Sequence, residues 1–147
     1  MFPNELFSEK TLIKQLNIED ALTATQFPAS GSFIDVSGFH KFGFLIGAGA
    51  LNSALTCKVQ QATANNGTLK DITNATVTIA ATGDDKWYWI EVETTRLDLN
   101  NSYRYVALDV AGAAGGDDYG AIFFFGFAYD RPVTQGADKG EVVTVAG

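Results

Sequence analysis

The sequence predicts an all-β domain, an antiparallel β-sandwich of jelly-roll type with an N-terminal arm or short helix. Three observations carry this. From Thr23 onward apolar residues recur with a period close to two, clusters of Gly, Asn and Asp break that pattern into short runs, and no helical periodicity intervenes between the runs. The chain has 147 residues, which fits one domain, and a chain of that size buries about 68–70% of the surface its unfolded form exposes. Its 15 glycines and 12% aromatic content agree with a β protein of many turns.

Residues 1–22 differ from the rest and are set apart as an arm preceding a single sandwich domain, 23–147. Leu6, Phe7, Leu12, Ile13, Leu16, Ile18 and Leu22 are spaced irregularly among charges, and Ser8 is available to cap a short helix around 9–16. Such a helix would pack on the sheet. An apolar arm docking on a neighbouring subunit fits the same residues.

The predicted strands are 23–27, 32–36, 39–47, 55–62, 76–80, 86–95, 103–110 and 120–130, and the tail from Val133 is either a final edge strand over 141–145 or a second extended segment. Ala29-Ser30-Gly31, Asn65-Asn66-Gly67, Gly83-Asp84-Asp85, Asn100-Asn101-Ser102 and Gly115-Gly116-Asp117-Asp118 mark turns between them, and Gly47-Ala48-Gly49 reads as a turn closing a strand. In KWYWIEVETT, alternation sends Tyr88, Ile90 and Val92 to the core and Trp87, Trp89, Glu91 and Glu93 outward. In YRYVALDV it sends Val106, Leu108 and Val110 inward and Tyr103, Tyr105 and Asp109 to the other face. The run GAIFFFGFAY is unlike these. Ala121, Phe123, Phe125, Phe127 and Tyr129 lie on one face and Ile122, Phe124 and Ala128 on the other, so both faces are apolar. A single sandwich core uses only one of them, and the second needs another layer, supplied by the chain's own N-terminal segment or long loops or by another subunit. Pro132 ends this strand.

Composition removes several function classes. The net charge is −7 with a pI near 4.5, and the Lys and Arg residues are scattered singly, so direct nucleic-acid binding is not expected. Cys57 is the only cysteine, which excludes an intramolecular disulfide and a multi-cysteine metal site and leaves it as a small buried residue. His40 is the only histidine, so one chain assembles no multi-histidine metal site. No Gly-x-Ser-x-Gly elbow and no phosphate-binding loop is present, and no enzymatic activity or cofactor is expected. Glu91 with Glu93, Asp84-Asp85 and Asp117-Asp118 lack the spacing of a glycosidase or calcium site and read as solvated acids. Two Asn-x-Thr matches, at Asn66 and Asn74, fall in turn-like sequence. Neither a basic leader nor a membrane-length apolar run is seen, and the expectation is a soluble chain that binds no membrane.

The succession SGSFIDVSGFHKFGFLIGAGAL, ALTCKVQQATANNGTLKDITNAT and KWYWIEVETTRLDLNNSYRYVALDV resembles head decoration (auxiliary or cement) proteins of tailed bacteriophages and prophages, over roughly residues 30–130. The likeness rests on the VQQAT strand with its NNGTLKDIT turn, the WYWIEVET strand, and the Leu-Asx turn leading into Tyr-x-Tyr-Val. It implies a jelly-roll-like domain that trimerises on the outer surface of the capsid, binds the major capsid protein and stabilises the head, after a soluble phase in the host cytoplasm. The interface residues expected on that reading are Phe123, Phe125, Phe127, Trp87 and Trp89 on the outer face, with Phe2, Leu6, Phe7, Leu12 and Ile13 anchoring the arm. The alternative is a carbohydrate-binding sandwich, free or as part of a phage tail or fibre, with Trp87, Trp89, Tyr103 and Tyr105 as stacking platform and Glu91, Glu93 and Asp109 accepting hydroxyls.

Overall fold

The computed structural model describes residues 7–17, 26–113, 116–118, 121–129 and 133–135. In chain order the elements are α1 (Phe7–Lys10), β1 (Thr11–Asn17), β2 (Gln26–Phe27), β3 (Ile34–Asp35), β4 (Phe39–Ala48), β5 (Leu55–Ala62), β6 (Lys70–Ile79), β7 (Lys86–Glu93), β8 (Tyr105–Ala111) and β9 (Ala121–Ala128). Two short 3₁₀ turns, Thr94–Arg96 and Leu99–Asn101, join β7 to β8.

The strands form two antiparallel sheets, as the alternation requires. One has the order β1-β9-β4-β7, and the other β2-β8-β5-β6 with β3 also on β8. The pairs β5 with β6, β4 with β7, β2 with β8 and β1 with β9 nest one outside the other along the chain. Between the sheets the inward residues interdigitate: Phe42, Phe44 and Ile46 from β4, Ile122 and Phe124 from β9, Leu55, Cys57 and Val59 from β5, and Val106, Leu108 and Val110 from β8 are all inaccessible to solvent. Phe124 is the hub. Its ring stacks on Phe42 at 6.1 Å and meets Phe44 and Phe39 edge-on at 5.5 and 5.9 Å.

Three expectations are corrected. A helix over 9–16 does not form: α1 is a single turn, and Thr11–Asn17 is a strand paired with β9 from Thr11↔Phe127 to Asn17↔Ile122. Leu12 and Leu16 alternate inward onto the core, and the backbone of β9 offers a ladder that outweighs one capped turn of helix. Gly47 and Ala48 are the last residues of β4, not a turn. The strand predicted at 76–80 begins at Lys70, because the period slips in its middle: Asn74 takes a left-handed conformation (φ 65°), and Ile72 and Ala75, three apart, both point inward. The strand expected over 141–145 lies outside the described residues.

On the outside of the β2-β8-β5-β6 sheet, Ala62 and Ala107 are covered by Phe33, with Leu69 and Tyr105 packed around them. Phe33 is held there by the segment before β3, where the N–H groups of Gly31 and Phe33 donate to the Asn65 carbonyl at 3.0 and 3.2 Å. The chain thus supplies a third layer to part of this sheet.

Gly43 and Gly38 test the packing of β4. A Cβ at Gly43 would lie 2.6 Å from the Ile90 carbonyl oxygen and collide with the Phe125 ring, whereas one at Gly38 meets nothing within 4 Å. Gly43→Ala is expected to lower stability by about 1–3 kcal/mol through overpacking. Gly38→Ala is expected to change it little, and urea unfolding midpoints at unchanged slope check both.

Candidate functional site

The outer face of the β1-β9-β4-β7 sheet carries the residues that alternation turns away from the core. Register arranges them in rows across the strands: Thr11, Phe127, Lys41 and Glu93, then Ile13, Phe125, Gly43 and Glu91, then Gln15, Phe123, Leu45 and Trp89. A fourth row runs Ala121, Gly47 and Trp87. The missing side chains matter as much as those present. Without a Cβ at Gly43 the Phe125 ring lies down over the β4 backbone, and the Trp87 ring does the same over Gly47, 2.9 Å from where a Cβ would be.

A groove of about 430 Å³ results, lined by Ile13, Leu45, Trp89, Glu91, Phe123, Phe125 and Phe127. Its phenylalanines, Ile13 and Leu45 are half-buried. Trp87 and Trp89 stand at its rim, 62% and 68% exposed, against the usual tendency of tryptophan to be largely covered. Among the described residues Glu91 is the one ionisable group in the lining, and Lys41 sits 3.4 Å from it with its ammonium 5.8 Å from the Phe127 ring centre. At one end of this face Thr11 is fully buried, whereas Trp87 and Trp89 at the other end stay exposed.

The opposite rim of the sheet is held by a polar clamp. The Gln135 side-chain amide donates to the carbonyls of Ser8 and Thr11 at 2.9 and 2.7 Å and accepts from the Ile13 N–H, while the Val133 N–H donates to the Glu9 carbonyl. Gln135 thereby occupies hydrogen-bonding positions that a further strand on β1 would use.

Of the residues singled out in the sequence, Trp87, Trp89, Phe123, Phe125, Phe127 and Ile13 meet on this face. Leu12 points the other way and packs against the core, since strand neighbours alternate. Phe7 opens α1, and Phe2 and Leu6 lie outside the described residues. The proposed sugar platform is divided. Tyr105 belongs to β8 in the other sheet and Tyr103 lies just before it, the former under the Arg104 guanidinium and the latter under the Lys70 ammonium. Asp109 is on that sheet too, close enough to Lys58 and Asp71 to feel their charges.

Asp117 was read as a solvated turn acid and is instead fully buried. Its carboxylate accepts from the N–H groups of Asn52 and Ser53 and from the Ser53 hydroxyl, tying the loop before β9 to the loop after β4. No local pattern marks it, because its partners are more than sixty residues away. Leu45 and the two glycines were also missed as site residues. Their signal is the alternation of Gly43, Leu45 and Gly47 in the strand beside the phenylalanines. His40 is exposed at the start of β4 with its ring 3.8 Å from that of Tyr129. Burial, with a smaller contribution from Asp109, pushes the Cys57 thiol up to about 12. Among the described residues no helix is long and apolar enough to cross a membrane.

No family model matches the chain, and no curated protein matches it. Several solved structures are similar. One is a coat protein of Tobacco streak virus, at 13% identity and a TM-score of 0.46, covering 94% of each chain. Another comes from the disulfide-linked pili that form Bacillus endospore appendages, at 12% identity and a TM-score of 0.45, covering 88% of this chain and 96% of that one. A third is the CBM22-1–GH10 portion of Clostridium thermocellum xylanase 10B complexed with xylohexaose, at 10% identity and a TM-score of 0.38, covering 78% of this chain and 24% of that one. None of these likenesses assigns a function.

The outer face of the second sheet yields a pH dependence. Burial raises the Asp109 carboxyl, Lys58 opposes the shift, and Asp71 adds to it. A carboxyl raised on folding contributes stability below its unfolded value, near about 4, and loses that contribution as pH rises through its folded value. Asp109→Asn is therefore expected to raise the unfolding midpoint at neutral pH, and the gain should vanish by about pH 3, where the wild-type carboxyl is protonated in both states. Thermal melts at the two pH values check this.

Proposed function

We propose that this chain is a non-enzymatic structural subunit that acts by docking the outer face of its β1-β9-β4-β7 sheet on another protein surface. The observation that carries this reading is the groove with its two rim tryptophans: an apolar second face on one sheet, beside a sheet whose own outer cluster is closed by Phe33. Aromatic rings around a half-open apolar floor have the composition of an interface centre, and Lys41, Glu91 and Glu93 supply a polar border. Covering the exposed part of Trp87 and Trp89 contributes on the order of 1–2 kcal/mol each. Association costs several kcal/mol of lost freedom before any surplus appears. Such a face therefore suits a subunit held at many points.

More specifically, we propose a capsid decoration protein, a homotrimer bound to the major capsid protein on the outside of a phage head. The nested strand pairing supports the jelly-roll part of this reading, and the resemblance of residues 30–130 supports the rest. A net charge of −7 suits a protein that works on the side of the shell away from DNA. Carbohydrate binding is the second reading, favoured by Trp87 and Trp89 sharing one strand face beside Glu91 and Glu93.

Light scattering across a dilution series is expected to give a multi-subunit mass for the wild type and a smaller mass with unchanged circular dichroism for Phe125→Asp. A wild type that stays monomeric and fails to co-sediment with capsids built from the major capsid protein of the same genome overturns the decoration reading. Tryptophan fluorescence is expected not to respond to a panel of xylo- and gluco-oligosaccharides, and saturable quenching by one of them would favour the second reading.

A further inference from the structure

A β-sandwich has four sheet edges, and three of them here are guarded. On β1 the Gln135 side chain and the Val133 N–H take backbone positions that a neighbouring strand would need. β2 and β3 are two residues each, too short to template a strand. β6 is broken by a large bulge, where residues 72–75 stand against Val59 alone, between the pairs Gln60↔Asp71 and Lys58↔Thr76. β7 carries no such device of its own, though the β6 bulge and Arg96 line a groove of about 230 Å³ beside Glu91, Val92 and Glu93. It runs eight residues in unbroken register with β4, from Ala48↔Lys86 to Lys41↔Glu93, and among the described residues no strand lies on its other side.

The side chains of β7 select an occupant for that edge. Outward it carries Trp87, Trp89, Glu91 and Glu93, and inward Tyr88, Ile90 and Val92. We propose that β7 pairs antiparallel with β7 of a second copy about a two-fold axis at Ile90. In this register Trp89 stands opposite Glu91 of the second copy and Trp87 opposite its Glu93. On the inner face Tyr88 meets Val92, and Ile90 meets its own counterpart. Each carboxylate thus faces an indole, whose N–H can donate to it, and each apolar residue faces another. A shift of the axis to residue 91 sets Glu91 against itself, like charges that disfavour it, and a shift to residue 89 leaves Glu93 without a strand partner, because Asp85 precedes β7 and takes a left-handed conformation (φ 54°). A pattern of two aromatics followed by two acids is complementary to its own reverse, as an isologous contact demands. The pairing joins two four-stranded sheets edge to edge and leaves the outer-face grooves of both copies open, so it does not depend on the docking proposed above.

Two single-cysteine variants read the register. Trp89→Cys and Glu91→Cys, both at exposed positions, are mixed and equilibrated in a glutathione redox buffer. Directly opposed residues of an antiparallel pair lie about 4.5–5.5 Å apart at Cα, within disulfide range, and the buried native Cys57 with its raised thiol does not compete. The expected product is the mixed dimer, with one Trp89→Cys chain bonded to one Glu91→Cys chain, in several-fold excess over either homodimer. Predominance of a homodimer, or no cross-linked species, overturns the proposal. Sedimentation of Trp89→Glu and Trp89→Lys separates edge from face. The first sets two carboxylates opposite and is expected to dissociate the pair, and the second meets Glu91 of the second copy and is expected to keep it. Equal loss in both moves the contact to the outer face, overturning the edge pairing while leaving the proposed docking face intact.

Discussion

β9 lies inside its sheet, between β1 and β4, with apolar side chains on both faces, and most of this structure can be understood from how those two faces are served. The inner face sends Ile122 and Phe124 into the sandwich, where Phe124 touches three other rings and links β4 to β9. The outer face presents three phenylalanines that remain only half-buried among the described residues. Water against that surface is a standing cost, which a covering layer lowers by the area it removes from solvent.

The neighbouring strand lowers that cost without removing it. Gly43 and Gly47 weaken β4 intrinsically, since glycine loses more backbone freedom on folding than any other residue. In exchange, the rings of Phe125 and Trp87 cover bare backbone, which shields the β4 ladder and flattens the groove floor. Gly126 repeats the arrangement on the inner face, where a Cβ would come within 2.7 Å of the Phe39 ring. Glycine and aromatic positions are thus coupled across strands, and the groove's shape follows from backbone positions as much as from the rings that line it.

Alternation alone made β7 and β8 legible. The partition of KWYWIEVE and YVALDV into inner and outer faces holds, because each strand keeps a regular period against the core, even where Phe33 also buries Ala107 on the outer side of β8. The features that escaped are those whose cause lies far along the chain. β1 is a strand because β9, more than a hundred residues away, offers it a ladder, and Thr11–Asn17 contains too little local pattern to say so. β6 hides its first half behind a bulge that resets the period at Asn74. Asp117 looks like any turn acid until its partners in the loop after β4 are known. The platform of Trp87, Trp89, Tyr103 and Tyr105 failed for a related reason. Similar residue patterns in consecutive strands do not place those strands in one sheet, and the connection from β7 to β8 crosses the sandwich.

Edge and face contacts differ in what they demand of the molecule. Pairing at an edge is directional: backbone hydrogen bonds set the spacing and the side-chain order sets the register, so it selects one partner and one orientation. Docking of an apolar face is area-dependent and tolerant of small shifts, so it fits a surface whose details vary from site to site. The two lie roughly at right angles on the β1-β9-β4-β7 sheet, one in its plane and one along its normal. A subunit with a lateral contact and a facial one can bind a surface and its own neighbour together, and each contact then raises the effective concentration for the other. Under that coupling neither interface has to be strong alone, which accords with a groove only half closed and an edge only eight residues long.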